Sequence, residues 1–263
     1  MKRYHFSYST LLSFACPVEN HHFLLRCLPM QTSFQRCHNV SYEVKPETPL
    51  LSGTDSFGNQ TLSGSLIKTH DSFSFSVSGD IISSFYLSHE PLDRIYSFPS
   101  VKCIPGESLA SLYKGIVFDE GFSSTQKACT LSHEVFARME YQPLTTDTQT
   151  TAEEALQAGK GVCQDYAHIL IALCRMASIP ARYAAGLIAG EGSSHAWVEV
   201  YDDGAWHGMD PTNDQPIDFG YIKFSHGRDY EDCSIDRGSF SCTQSQVDQT
   251  IEVNATVEEI SLL

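Results

Sequence analysis

The first third of the chain alternates. Around His5-Phe6-Ser7-Tyr8-Ser9, in Val40–Val44 and in Phe73–Val77, apolar and polar residues exchange at every second position. That is the period of a strand with one face buried. Between the last two runs lies TDSFGNQTLSG (54–64), dense in turn formers, with Gly58-Asn59 as a tight turn. An antiparallel sheet or sandwich over residues 1–90 follows from this pattern. Leu92 to Gly106 carries two prolines and reads as an irregular connection into a second region.

From Glu107 the apolar spacing lengthens to three and four. SLASLYKGIVFDE (108–120) and TQKACTLSHEVFARMEY (125–141) therefore predict two helices. Thr151 and Glu154 have capping-box spacing, and Gly159 suits a helix end, so a short third helix lies between them. Ala167, Leu170, Ile171, Cys174 and Ala177 then mark one face of a fourth helix. Ile169, Leu173 and Met176 widen that face until the helix is buried nearly all round, and Pro180 stops it. RYAAGLIA, HAWVEVY and AWHGM read as strands, the last two joined by a turn at Asp202-Asp203-Gly204. TIEVNATVEE (250–259) alternates and predicts a final strand. The fold class is α+β. An N-terminal antiparallel β domain (1–90) precedes a core (91–263) in which a central helix carries Cys163 and an antiparallel sheet carries His195 and Asp210.

Composition changes this picture mainly by exclusion. Of 263 residues, 17 are Lys or Arg and 32 are Asp or Glu, a net charge of −15. Such a chain repels phosphate backbones and anionic lipid, so neither a nucleic-acid nor a membrane partner is expected. The start, MKRYHFSYSTLLSFAC, is interrupted by His5, Ser7, Ser9, Thr10 and Ser13, too often for a signal peptide. Nine cysteines cannot all pair and form no CxxC, which fits a cytoplasmic chain without a zinc ribbon or dithiol motif. His21-His22, His207 and His226 have no metal-ligand spacing, so no metal and no cofactor are expected.

Candidate chemistry centres on Cys163. At a helix N-terminus its sulfur faces unpaired N–H groups and the positive end of the dipole, which favours the thiolate. The same N–H groups can hold an oxyanion. A nucleophilic thiol needs a base and a group that orients the base. His195, delivered by the GEGSS loop, supplies the first. Asp210, at the end of the paired strand, supplies the second, because the hairpin returns the chain towards His195. A lone cysteine at a helix start is more often inert; the loop histidine and the hairpin-paired aspartate reverse that weighting. Cys174 stays a core filler. His168 reads as a core histidine, Trp197 and Trp206 as packing across the hairpin, and Asp165 as a first-turn carboxylate. Arg182 is open between a buried ion pair and the surface.

GxGVCQDYAHILIALCR…SIPARY, SHAWVEVY and W-x-x-MDPTN resemble the transglutaminase-like superfamily, which is related to papain and orders its residues Cys, His, Asp. GRDYEDCSIDRG (227–238) and the strand-rich start with DSFGN resemble its bacterial branch. The resemblance implies Cys163 as nucleophile, His195 as general base and acid, and Asp210 as the residue orienting His195. Many members use an aromatic residue upstream of the cysteine as a second oxyanion donor, often tryptophan. Both tryptophans here lie downstream of Cys163. Tyr141 is the favoured substitute, with Gln157 and Gln164 as alternatives. The expected activity is a cysteine protease or amidase acting through a thioester on a peptide or protein amide. Amine transfer, as in a transglutaminase, is the first alternative, and a non-catalytic interaction scaffold is another.

Overall fold

A computed structural model describes residues 1–242 and 247–261. The N-terminal strands are β1 (Lys2–Leu25), β2 (Gln35–Lys45), β3 (Leu51–Thr54), β4 (Gln60–Leu66), β5 (His70–Ser83) and the short β6 (Leu87–Ser88). Helices α1 (Glu107–Lys114) and α2 (Ser124–Phe136) follow, then β7 (Glu140–Tyr141), α3 (Ala152–Ala158), β8 (Lys160–Gly161) and α4 (Cys163–Met176). The remainder is β9 (Ala181–Ile188), β10 (Gly190–Gly192), β11 (His195–Asp202), β12 (Ala205–Asp210), β13 (Gln215–Pro216), β14 (Tyr221–Gly227), α5 (Tyr230–Cys233), β15 (Asp236–Ser241) and β16 (Gln249–Ile260). The α+β class read from the sequence is the observed one.

β1 organises the first sheet. Its even positions Tyr4, Phe6, Tyr8, Thr10, Leu12 and Phe14 are buried. Residues 2–13 of β1 run between β5 and β16, whereas residues 19–25 run between β4 and β15. The exchange of partners falls where the register shifts, between Ser13 and Val18, beside Pro17, which has no N–H to give a ladder. Strands β15 and β16 come from beyond residue 235, so residues on both sides of residue 90 share this sheet. At its turn, Asp55 accepts from the Phe57 and Asn59 N–H groups, and Asn59 pairs with the His226 backbone at 2.8 Å in both directions. The DSFGN turn thereby ties the first sheet to β14.

The second sheet is antiparallel, in the order β13-β12-β11-β9-β14, with β6 also pairing with β12. Both of its faces are covered, so β9 is buried along almost its whole length. Tyr183, Ala185, Val198 and Val200 face α4, which is itself buried from Asp165 to Arg175. Further along the same face, Leu187, Ile222 and Phe224 pack against the first sheet. The opposite face holds an ion cluster, in which Glu199 accepts from Arg182 Nε and, at 2.7 Å, from Lys223 Nζ, while Arg182 lies 4.1 Å over the Trp206 ring. Trp197 Nε1 donates to Tyr86, whose hydroxyl donates to Glu199. Among the described residues no helix is long and apolar enough to cross a membrane.

Candidate active site

The three residues converge through two reversals of the chain. After α4, Ser178 takes a left-handed φ of 61° and the chain doubles back into β9. The far end of α4, Cys163, therefore lies where β9 finishes and β11 begins, and His195 pairs with Gly186 there. The second reversal is the Asp203-Gly204 turn, both residues at positive φ, with Asp202 opposite Ala205. Only glycine and a few polar residues adopt that geometry readily. It returns β12 beside β11 so that Asp210 ends next to His195.

The cysteine turn is fixed by Asp165, whose Oδ2 accepts from the Val162 N–H and the Thr146 hydroxyl, both at 2.7 Å. A Cβ at position 161 would lie 2.4 Å from that oxygen, so glycine is required there for space. Cys163 opens α4, and the Val162 carbonyl takes the Asp165 and Tyr166 N–H groups, which leaves those of Cys163 and Gln164 without an intrahelical acceptor.

His195 donates from Nε2 to Asp210 Oδ2 at 2.8 Å, leaving Nδ1 for the Cys163 thiol, its other hydrogen-bond partner. Burial works against charge on the ring. The hydrogen bonds from Asp210 and Cys163 outweigh it and carry the imidazole up to about 10. Asp210 is fully buried. Burial alone would raise its carboxyl, yet His195, Tyr221 and Asn213 hold it below the usual carboxylate range. Tyr221 Oη donates to Oδ2 at 2.6 Å and Asn213 Nδ2 at 2.7 Å, while the Thr212 N–H donates to Oδ1 at 2.9 Å. The DPTN sequence is thus a turn folded around its own carboxylate.

These groups open into a cleft of about 460 Å³. Tyr141 lines it, and burial followed by the nearby Cys163 sulfur pushes its phenol up. Gln164 also lines it, but its amide is turned to the Asp147 carbonyl. Gln157 bonds Glu153 on the surface of α3 instead. His168 is buried, accepts from the Tyr230 N–H, and burial keeps it neutral, with its pKa lowered to about 3. The far wall comes from residues the sequence offered no reason to join to the site: Tyr8 and Thr10 of β1, and Ile251 and Val253 of β16.

Two family models match the chain. One, described as the bacterial transglutaminase-like N-terminal region, covers residues 4–81, and the other, the transglutaminase-like superfamily core, covers 118–211. The chain belongs to the transglutaminase-like superfamily. The transglutaminase-like core includes Cys163, His195 and Asp210, and the N-terminal region includes most of the first sheet. An uncharacterized protein of Mycobacterium leprae is 36% identical over 115 residues, 40% of this chain and 41% of that one. One from Mycobacterium tuberculosis is 33% identical over 141 residues, 47% of this chain and 45% of its own. The match thus spans less than half the length of these relatives. The crystal structure of a candidate cysteine protease from Cytophaga hutchinsonii superposes with a TM-score of 0.80 at 22% identity. It covers 99% of this chain and 91% of that one, a likeness of fold.

Proposed function

We propose that this transglutaminase-like chain is a cysteine hydrolase that cleaves peptide, isopeptide or side-chain amides through a thioester on Cys163. The observation that carries the reading is the relay from the Cys163 thiol to His195 and on to the buried Asp210 carboxylate. His195, whose imidazole is raised to about 10, is the proposed acceptor of the thiol proton. The sulfur attacks the amide carbon, a C–S bond forms, and the carbonyl π pair moves onto oxygen. The α4 N–H groups and Tyr141 are the proposed donors to that oxyanion. Collapse breaks the C–N bond, and the departing nitrogen takes its proton from His195. Water then gives a proton to His195 and attacks the thioester, and the sulfur leaves as thiolate while an acid is released. The odd count of nine cysteines with no CxxC supports a cytoplasmic setting for this reaction.

The test is labelling by an electrophilic amide mimic together with turnover of an amide panel. Modification at Cys163, lost in His195→Ala, and turnover abolished by Cys163→Ala are the expected results. Product analysis in the presence of a primary amine separates hydrolysis, which gives an acid, from transfer, which gives a new amide. An unlabelled Cys163 with no dependence of any turnover on it overturns the reading in favour of a non-catalytic scaffold.

A further inference from the structure

The cleft holds one carboxylate that the relay does not use. Asp236 opens β15 and lines the same cavity as Cys163 and His195. Apart from His195 itself, it is the single Asp, Glu, Lys, Arg or His side chain among the described lining residues. Its negative charge is felt by the phenols of Tyr8 and Tyr230, both of which also line the cleft. The neighbouring cations are committed elsewhere. Arg237 bonds Glu231, and Arg26 bonds Asp55 and the Ser234 carbonyl. Among the described residues no hydrogen bond or ion pair reaches the Asp236 carboxylate. Burial without compensation pushes that carboxyl up to about 6. An unpaired, desolvated carboxylate is costly in a folded chain, and a cation from outside is what would compensate it.

We propose that Asp236 is the specificity-determining residue of this cleft and binds a protonated amino group on the acyl substrate. A lysine-type side chain and a free chain-terminal amine share that chemistry. The proposal rests on the reading of Cys163 as the attacking atom, because it sets which amides reach that sulfur. The remaining wall explains why charge would dominate selection. Ile235, Ile251 and Val253 offer apolar contact, which does not distinguish lysine from a neutral side chain of the same length.

Peptide aldehydes, which trap an active-site thiol reversibly, make the test direct. One pair carries lysine or its neutral isostere norleucine beside the aldehyde, and a second pair carries a free or an acetylated N-terminus. The wild-type chain should prefer the charged member of one pair by about tenfold or more, the worth of a charge-assisted hydrogen bond. The pair that responds identifies the source of the amine. Asp236→Asn, close in size and shape, should bring that ratio to within about twofold while iodoacetamide still modifies Cys163 at the wild-type rate. A wild-type chain indifferent to both charges, or an unchanged ratio in Asp236→Asn, overturns the inference and leaves the hydrolase reading standing. Calorimetric titration of Cys163→Ala with lysine and norleucine peptide amides keeps the two separable. Charge-selective binding that depends on Asp236, without aldehyde trapping or turnover, overturns the hydrolase reading alone. Binding equal for both amides overturns the inference.

Discussion

Tyr221 donates its hydroxyl to Asp210 Oδ2, the same oxygen that takes the His195 Nε2–H. A tyrosine one strand away in the chain thus helps to fix which lone pair is left for the imidazole. Tyr221→Phe should leave the fold intact, because the ring stays packed in its cluster with Trp197 and Phe34. It should slow Cys163 modification by roughly tenfold, the worth of one hydrogen bond to a charged group. Its imidazole should also titrate higher than in the wild type, because a carboxylate relieved of one donor holds the ring proton more strongly, read by NMR of the His195 ring. An unchanged titration would remove Tyr221 from the relay.

The same imidazole sets a dependence of stability on pH. Its folded value near 10 lies above the ordinary imidazole value of about 6.5. A raised basic group stabilises the fold fully below about pH 6.5, and that contribution is lost as pH rises through about 10. The difference in urea stability between the wild type and His195→Gln should therefore be larger at pH 6 than at pH 10. The contribution is on the order of 2–4 kcal/mol. Equal differences at the two pH values would mean the ring is not held protonated.

Asp236 has the opposite consequence. Its folded value near 6 exceeds the ordinary carboxylate value of about 3.9, so the fold loses stability as pH rises from about 4 to 6 and stays lower above that. Asp236→Asn should be more stable than the wild type at pH 7, by on the order of 1–2 kcal/mol. The advantage should vanish near pH 4, as read by thermal denaturation at the two pH values.

Glu199 compensates two buried cations, Arg182 and Lys223. Glu199→Ala strands Lys223 and leaves Arg182 with Glu90 as its carboxylate partner, and should destabilise the chain by about 3–5 kcal/mol. The loss would register in urea unfolding, whereas Cys163 modification of the molecules that remain folded should change little.

Gly161→Ala places a methyl group against Asp165 Oδ2. Cys163 modification should fall by roughly tenfold or more, about 1.4 kcal/mol or above, within the usual cost of overpacking. Combining it with Asp165→Ala should cost less than the sum of the two single losses, because the two nearest clashing atoms leave with the carboxylate and only the Cβ at 2.8 Å stays. Strict additivity would place the effect of the alanine elsewhere.

The relation between pattern and structure differs along the chain. Phe73–Val77 alternates because β5 buries one face, so the period survives in the sequence. β1 runs 24 residues, but the sequence marked only the part around Phe6, because the strand changes partners near Pro17 and its polar run Glu19–His22 hides the period. The hairpin of β11 and β12 was legible from Asp203-Gly204, whose turn chemistry is local. The predicted helix over 108–120 is shorter in the structure, closing at Lys114 where Gly115 caps it. Arg182 stayed ambiguous because β9 is buried on both faces, and the burial of a cation there is decided by Glu199 and Lys223 rather than by its neighbours in sequence. Tyr221, Thr146 and the far wall of the cleft left no local trace at all. They reach the site by pairings that join residues far apart in the chain.

One of those pairings has a bearing on how the chain is made. β1 from Arg3 to Phe14 lies against β16 from Ile260 back to Gln249, so β1 waits on a ribosome for a partner made long after it. Until then one edge of a long, half-apolar strand is open, the condition under which nascent chains associate wrongly. A chain halted before residue 249 already contains Cys163, His195 and Asp210, yet it lacks Ile251 and Val253, which complete the wall of the cleft around them.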